Sequence, residues 1–373
     1  MKRALLLLLM GCGGASTSGS GDLDAALDAC ARGEIDQAER LAGAIPGPDA
    51  IRLRARLYLM KNRNREAIEI LTPLLGGKAK NYEAMERLQQ VLPDLALAYV
   101  RQDDFLNASR TYAMMGEAIT AKKYETLART VAYASNLGDE DVVVEFLGQF
   151  ALPVVAATVN RQRGVFLIDT LIDQISLDRG FARRIGIEAV GMRGAGSFDE
   201  ATVAEFGLGR ATVRNIPIHL DDAISIDNVK IDGAIGLQFL MHYDFTLDYR
   251  RSRLVLRKAG GPAAGQAAYL VGDRYLLTAA TTNGKDRLFT AVGTSLRGVT
   301  LAASEHFLTA QGGEVRDFQA ASLKLVKPAI DLKAFPAGLD GSFGVPVGYV
   351  LGHAALKGRV LRVEPRSMRI SIE

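Results

Sequence analysis

From Asp22 to about Phe150, apolar residues and alanines recur at intervals of three and four with few β-branched runs, a period that predicts amphipathic helices. Three stretches share one form. ARGEIDQAERL (31–41), MKNRNREAIEIL (60–71) and VRQDDFLNASRTY (100–112) each set a short polar turn before a helix with a small residue at Ala38, Ala67 or Ala108. An alanine there lets two helices approach closely, and stacked hairpins bury a face that none can bury alone. Pro46, Pro73 and Pro93 are expected near helix ends. Near residue 151 the period changes. PVVAATV, a turn at NRQRG and VFLIDT predict a β-hairpin, LDRGFARRIGI (177–187) predicts a short helix, and residues 231–258 predict a short helix leading into a second hairpin. Residues 259–266, rich in Gly, Ala and Pro, predict a linker, after which the same order returns: strand, turn, strand LFTAVG, helix-like ASEHFLTA and a closing hairpin.

The repeat can be aligned at its end. Gly236 through Leu256 matches Gly352 through Ile372 without gaps, at an offset of 116. Two copies of one all-β module are the simplest account. The expected architecture is multidomain: residues 1–21 a signal and tether, 22–150 an all-α helical-repeat domain, 151–258 a first all-β module, 259–266 a linker, and 267–373 a second all-β module.

Composition narrows the function. With 45 basic and 42 acidic residues the net charge is +3, and no basic run interleaved with aromatics stands out, so no nucleic-acid partner is expected. The chain has two cysteines, Cys12 and Cys30, and four histidines in no ligand spacing, so neither a metal site nor any other cofactor is expected. Met1-Lys2-Arg3 followed by ALLLLLM is too short to span a bilayer and predicts a targeting segment. Its end, Leu9-Met10-Gly11-Cys12, resembles the bacterial lipobox, and the GGASTSGSG tract that follows suits a tether. The resemblance implies lipidation at Cys12 and a lipid-anchored place in the bacterial envelope, with Gly13 hinting at the outer membrane. A plain signal peptide with an incidental cysteine is the alternative.

Two further resemblances carry the functional expectations. The helical stretches resemble tetratricopeptide-like repeats, although alanine spacings of 29 and 41 are irregular and an irregular helical domain is the alternative. That resemblance implies a surface for a protein partner. VFLIDT, the FARRIGI helix, FGLGRATVRNIPIHL and DGAIGLQFLMHYDFTLDYRRSRLVL resemble bacterial retropepsin-like aspartic proteases, over 152–258 well and 267–373 weakly. In that family two aspartates from pseudo-symmetric halves share a proton, and the threonine after each bonds across to the opposite loop. The resemblance makes Asp169 the catalytic carboxylate and Thr170 its threonine, with Leu171 where a glycine is usual. Aligning LFTAVGTS by its lead-in strand puts Ala291 at the second aspartate, Val292 at the threonine and Gly293 at the glycine. Gly236 and Gly352 are expected as close-approach glycines beneath the site, Asp173 as a solvated turn residue and Asp248 as structural. Asp169 can equally be a structural strand-end carboxylate. The implied function is an aspartic-protease-like lipoprotein, impaired by Ala291, that binds a peptide or protein. The alternatives are an endopeptidase that is a homodimer through Asp169, and a structural envelope component.

Overall fold

The computed structural model describes residues 20–76, 82–191, 199–222, 225–226, 228–261, 264–310 and 312–373, and Cys12 with its lipobox lies outside them. Among the described residues seven α-helices come first: α1 (Ser20–Ala31), α2 (Ile35–Ala44), α3 (Pro48–Met60), α4 (Asn64–Leu71), α5 (Tyr82–Arg101), α6 (Phe105–Met114) and α7 (Ala118–Leu127). Helix α1 thus begins inside the expected tether. Ala38, Ala67 and Ala108 are fully buried, each in the second helix of a hairpin. The turns before them share one geometry. Gly33, Asn62 and Asp103 all have positive φ, and the N–H after each reaches back five residues, from Glu34 to Ala29, Arg63 to Tyr58 and Asp104 to Tyr99. That pattern closes a helix C-terminus with a left-handed residue, which Gly, Asn and Asp tolerate best. Gly116 repeats it between α6 and α7, where the Glu117 N–H donates to the Tyr112 carbonyl. Pro93 departs from expectation, since it lies inside α5 rather than at its end.

Strands begin earlier than the change of period suggests. Ala134–Ser135 pairs with Ala211–Asp221, and Val142–Glu145 pairs with Arg253–Lys258, so the expected boundary at 150 falls within β-structure. Val142–Glu145 opens the first module as Gln266–Val271 opens the second, and each pairs with the last strand of its own copy. The first module folds Val154–Val159, Gln162–Ile168, Ile175–Asp178, Asp199–Leu208, Ala211–Asp221 and Gly233–Ile235 into one sheet that closes on itself through the pairing of Asp199–Leu208 with both Val154–Val159 and Ala211–Asp221. Each module then ends in a short helix and a hairpin. Tyr243–Asp248 of the first hairpin pairs antiparallel with Val360–Glu364 of the second, in the register Phe245↔Val363, so one sheet crosses from module to module.

The helices do not stand apart from this β-structure. Ala26, Ala38, Leu53 and Leu57 share a core with Tyr269, Leu277, Phe289 and Val347 of the second module. Phe105, Tyr124 and Leu127 join Val203, Val213 and Tyr133 in the core of the first. Each large apolar side chain so buried contributes about 1.5–3 kcal/mol. Part of the helical surface expected to meet a protein partner is therefore covered by the chain's own modules. Among the described residues no helix is long and apolar enough to cross a membrane.

Candidate functional site

Strand Gln162–Ile168 carries Asp169 and Thr170 to the seam between the modules, because its apolar residues Phe166 and Ile168 are buried in the core and fix its end. There Thr170 meets Thr294. The Thr170 hydroxyl donates to the Val292 carbonyl at 2.6 Å and the Thr294 hydroxyl to the Ile168 carbonyl at 2.7 Å. The Thr170 N–H also donates to Thr294 Oγ1 at 3.1 Å, and the Thr294 N–H to Thr170 Oγ1 at 3.2 Å. Both threonines are fully buried, so every polar atom in this reciprocal set has its partner out of water.

This geometry corrects the alignment of the second copy. Thr294 rather than Val292 answers Thr170, and Gly293 rather than Ala291 answers Asp169. The main chain agrees: the Asp169 N–H donates to Ile235 O at 3.0 Å, and the Gly293 N–H donates to Leu351 O at 2.8 Å. Ala291 sits two residues back in its strand, fully buried in the core shared with α1 to α3. Aligning by the threonine, with VGTS on IDTL, finds the register that the strand pattern missed.

Gly293 brings no side chain to the seam, and Leu171 lies over the place where one would project. A Cβ added at Gly293 would stand 3.0 Å from Leu171 Cδ1 and from Val350 Cγ1. Asp169 accepts the Leu171 N–H at 2.9 Å and the Ser295 hydroxyl at 2.7 Å. Burial raises its pKa, and those two hydrogen bonds work the other way. Ser295 was not visible in the sequence, since it follows a threonine that the strand alignment placed elsewhere.

Gly236 and Gly352 sit beneath the two loops with nearly the same backbone, φ −86° and ψ 173° against φ −87° and ψ 175°. A Cβ on Gly236 would lie 2.2 Å from the Gln174 carbonyl oxygen, and one on Gly352 would lie 2.3 Å from that of Val299. Only glycine fits either place. Asp248 is buried in its hairpin, where it caps the Arg251 N–H at 3.1 Å.

A cavity of about 1050 Å³ opens between the helices and both modules, and its lining includes Asp173 and Gln174 but not Asp169. Asp173 is no solvated turn residue: its carboxylate lies 3.5 Å from His219 Nδ1. His219 Nε2 is 3.3 Å from Glu200, and Glu200 is paired with Lys123 of α7, which is fully buried. Gln174 accepts from Lys123 Nζ at 2.9 Å and donates to the Tyr124 hydroxyl at 2.9 Å. Burial works to raise the Glu200 pKa, but the His219 and Lys123 contacts overcome it and hold the carboxyl at about 2. Sequence reading missed this cluster because its members come from four separate segments. Among the described residues no group of side chains is arranged to hold a metal ion.

No protein-family model matches the chain, and no curated protein matches it. Among solved structures it is similar to a retropepsin-like aspartic protease from Rickettsia conorii, at 18% identity over 35% of this chain and 97% of that one, with a TM-score of 0.26. The similarity is distant and structural.

Proposed function

We propose that the chain is an aspartic-protease-like protein that binds peptides without cleaving them, anchored in the bacterial envelope through a lipid on Cys12. The observation that carries this reading is the Thr170–Thr294 set, which brings Gly293 to the position equivalent to Asp169. A lone carboxylate has no partner to share its proton, so base and acid duties cannot be divided between two groups. A homodimer through Asp169 would first have to break four buried hydrogen bonds that already join the modules within one chain. The peptide seat is the cavity between the helices and the modules, which is as large as pockets that enclose whole ligands.

Incubating the full chain with a peptide library at pH 4 and at pH 7 tests the reading. Peptides are expected to be retained and recovered intact, with Asp169→Asn unchanged in binding. Cleavage that disappears in Asp169→Asn would overturn it. Metabolic labelling with a fatty-acid analogue is expected to mark the wild type and not Cys12→Ala; equal labelling of both would remove the anchor.

A further inference from the structure

Among the described residues, cations that line the cavity touch carboxylates of the protein, and Arg101 is held differently. Arg56 touches Asp94 at 2.9 Å, Lys123 is paired with Glu200, and Arg274 donates to Asp273 at 3.2 Å. Arg101, the last residue of α5, touches main-chain carbonyls and no carboxylate among the described residues. Its Nη1 donates to Leu59 O at 2.7 Å, at the end of α3, and its Nη2 donates to Gly272 O in the turn after Gln266–Val271. A guanidinium has five N–H donors in a planar fork, so two acceptors leave most of its bonding capacity unused. Bridging α3 to the second module explains two of those donors but not a cation that faces a large cavity without touching a carboxylate among the described residues.

Burial draws the guanidinium pKa down to about 10, against the pull of the Asp273 charge, so the group remains a cation at neutral pH. A carboxylate is the ligand that a guanidinium fork holds best, through two parallel charge-assisted hydrogen bonds.

We infer that Arg101 seats a carboxylate of the bound peptide, supplied by its free C-terminus or by an acidic side chain. The inference rests on the cavity being the peptide seat, and it adds the chemistry by which one end of the ligand is chosen. Held by Arg101, the carboxylate would lie at the junction of α3, α5 and the turn at Gly272, and the rest of the peptide would run toward Asp173 and Gln238.

The test uses the full chain in detergent and random ten-residue peptides free of Asp and Glu in three forms: free acid, C-terminal amide, and amide with a glutamate fixed at the fifth position. Retained peptides are counted by mass spectrometry. The free acid is expected to be retained about tenfold or more over the plain amide, the discrimination of one charge-assisted hydrogen-bonded pair. If instead only the glutamate amide exceeds the plain amide, the carboxylate comes from a side chain and its chemistry still holds. Equal retention of all three forms overturns the carboxylate seat while leaving peptide binding intact; retention of none overturns both. Arg101→Gln is expected to bring acid retention down to the amide level at an unchanged far-ultraviolet spectrum. Because that variant also loses a bridge to Gly272, the comparison of the three peptide forms on the wild type decides the matter even if it fails to fold.

Discussion

The surroundings of Asp169 disfavour its charge, since burial raises its pKa against the help of Leu171 and Ser295. The folded chain therefore holds this proton more tightly than the unfolded chain does. Stability from the protonated form is present at low pH and is lost as pH rises through the raised folded value. Asp169→Asn is accordingly expected to raise Tm at pH 7 by roughly 1–3 °C, a gain that fades below the ordinary carboxylate range; thermal scans across pH check it. Leu171 and Gly293 are complementary, so their substitutions should couple. Gly293→Asp alone is expected to cost about 1–3 kcal/mol through overpacking against Leu171, Val350 and Leu296, and less when combined with Leu171→Gly. Denaturant titration of the two single variants and the double variant measures that coupling. Asp169 and Thr170 were legible in the sequence because they end a strongly apolar strand. Thr294 and Ser295 were not, because the copies are offset by 124 at the threonine loops and by 116 at the closing hairpins, so no single gap-free alignment serves both.

At the scale of elements, the helical hairpins were legible from small residues and polar turns, and the structure adds that the turns themselves repeat. Gly116 has φ 80° with nothing near its would-be Cβ, so Gly116→Ala tests the left-handed backbone free of any clash. A loss of about 1 kcal/mol is expected, read as a lower denaturation midpoint at constant slope. Strand Val142–Glu145 was hidden from the sequence. Its four residues alternate buried and exposed, but the run is too short to show a period of two against the helical stretch before it, and its pairing partner lies more than a hundred residues away. Pro93 misled for a related reason, since a proline ends a helix by local rule and here tertiary packing holds α5 together around it.

At the scale of the whole molecule, what the sequence separates as an α-domain and a β-region shares hydrophobic cores, and polar side chains of the two also meet at the cavity. There Lys123 of α7 and Glu200 of the first module face each other away from solvent. Lys123→Ala leaves Glu200 without its ammonium and is expected to cost about 3 kcal/mol or more, measured by chemical unfolding at pH 7. The Glu200 pKa is depressed in the fold, so its contribution is present above the ordinary value of 4.5 and is lost as pH falls toward about 2. In Lys123→Ala that acid loss should shrink. The threonine set joining the modules has a last consequence for how such a chain can change over generations. Where two identical subunits form a seam, every substitution is made twice, and a glycine at the acidic position would erase both carboxylates at once. Joined in one polypeptide, the halves can diverge separately, and the local concentration of each around the other is fixed by covalent linkage rather than by expression level. One side can thus carry an acid where the other has a glycine under a leucine, with the joint between them left whole.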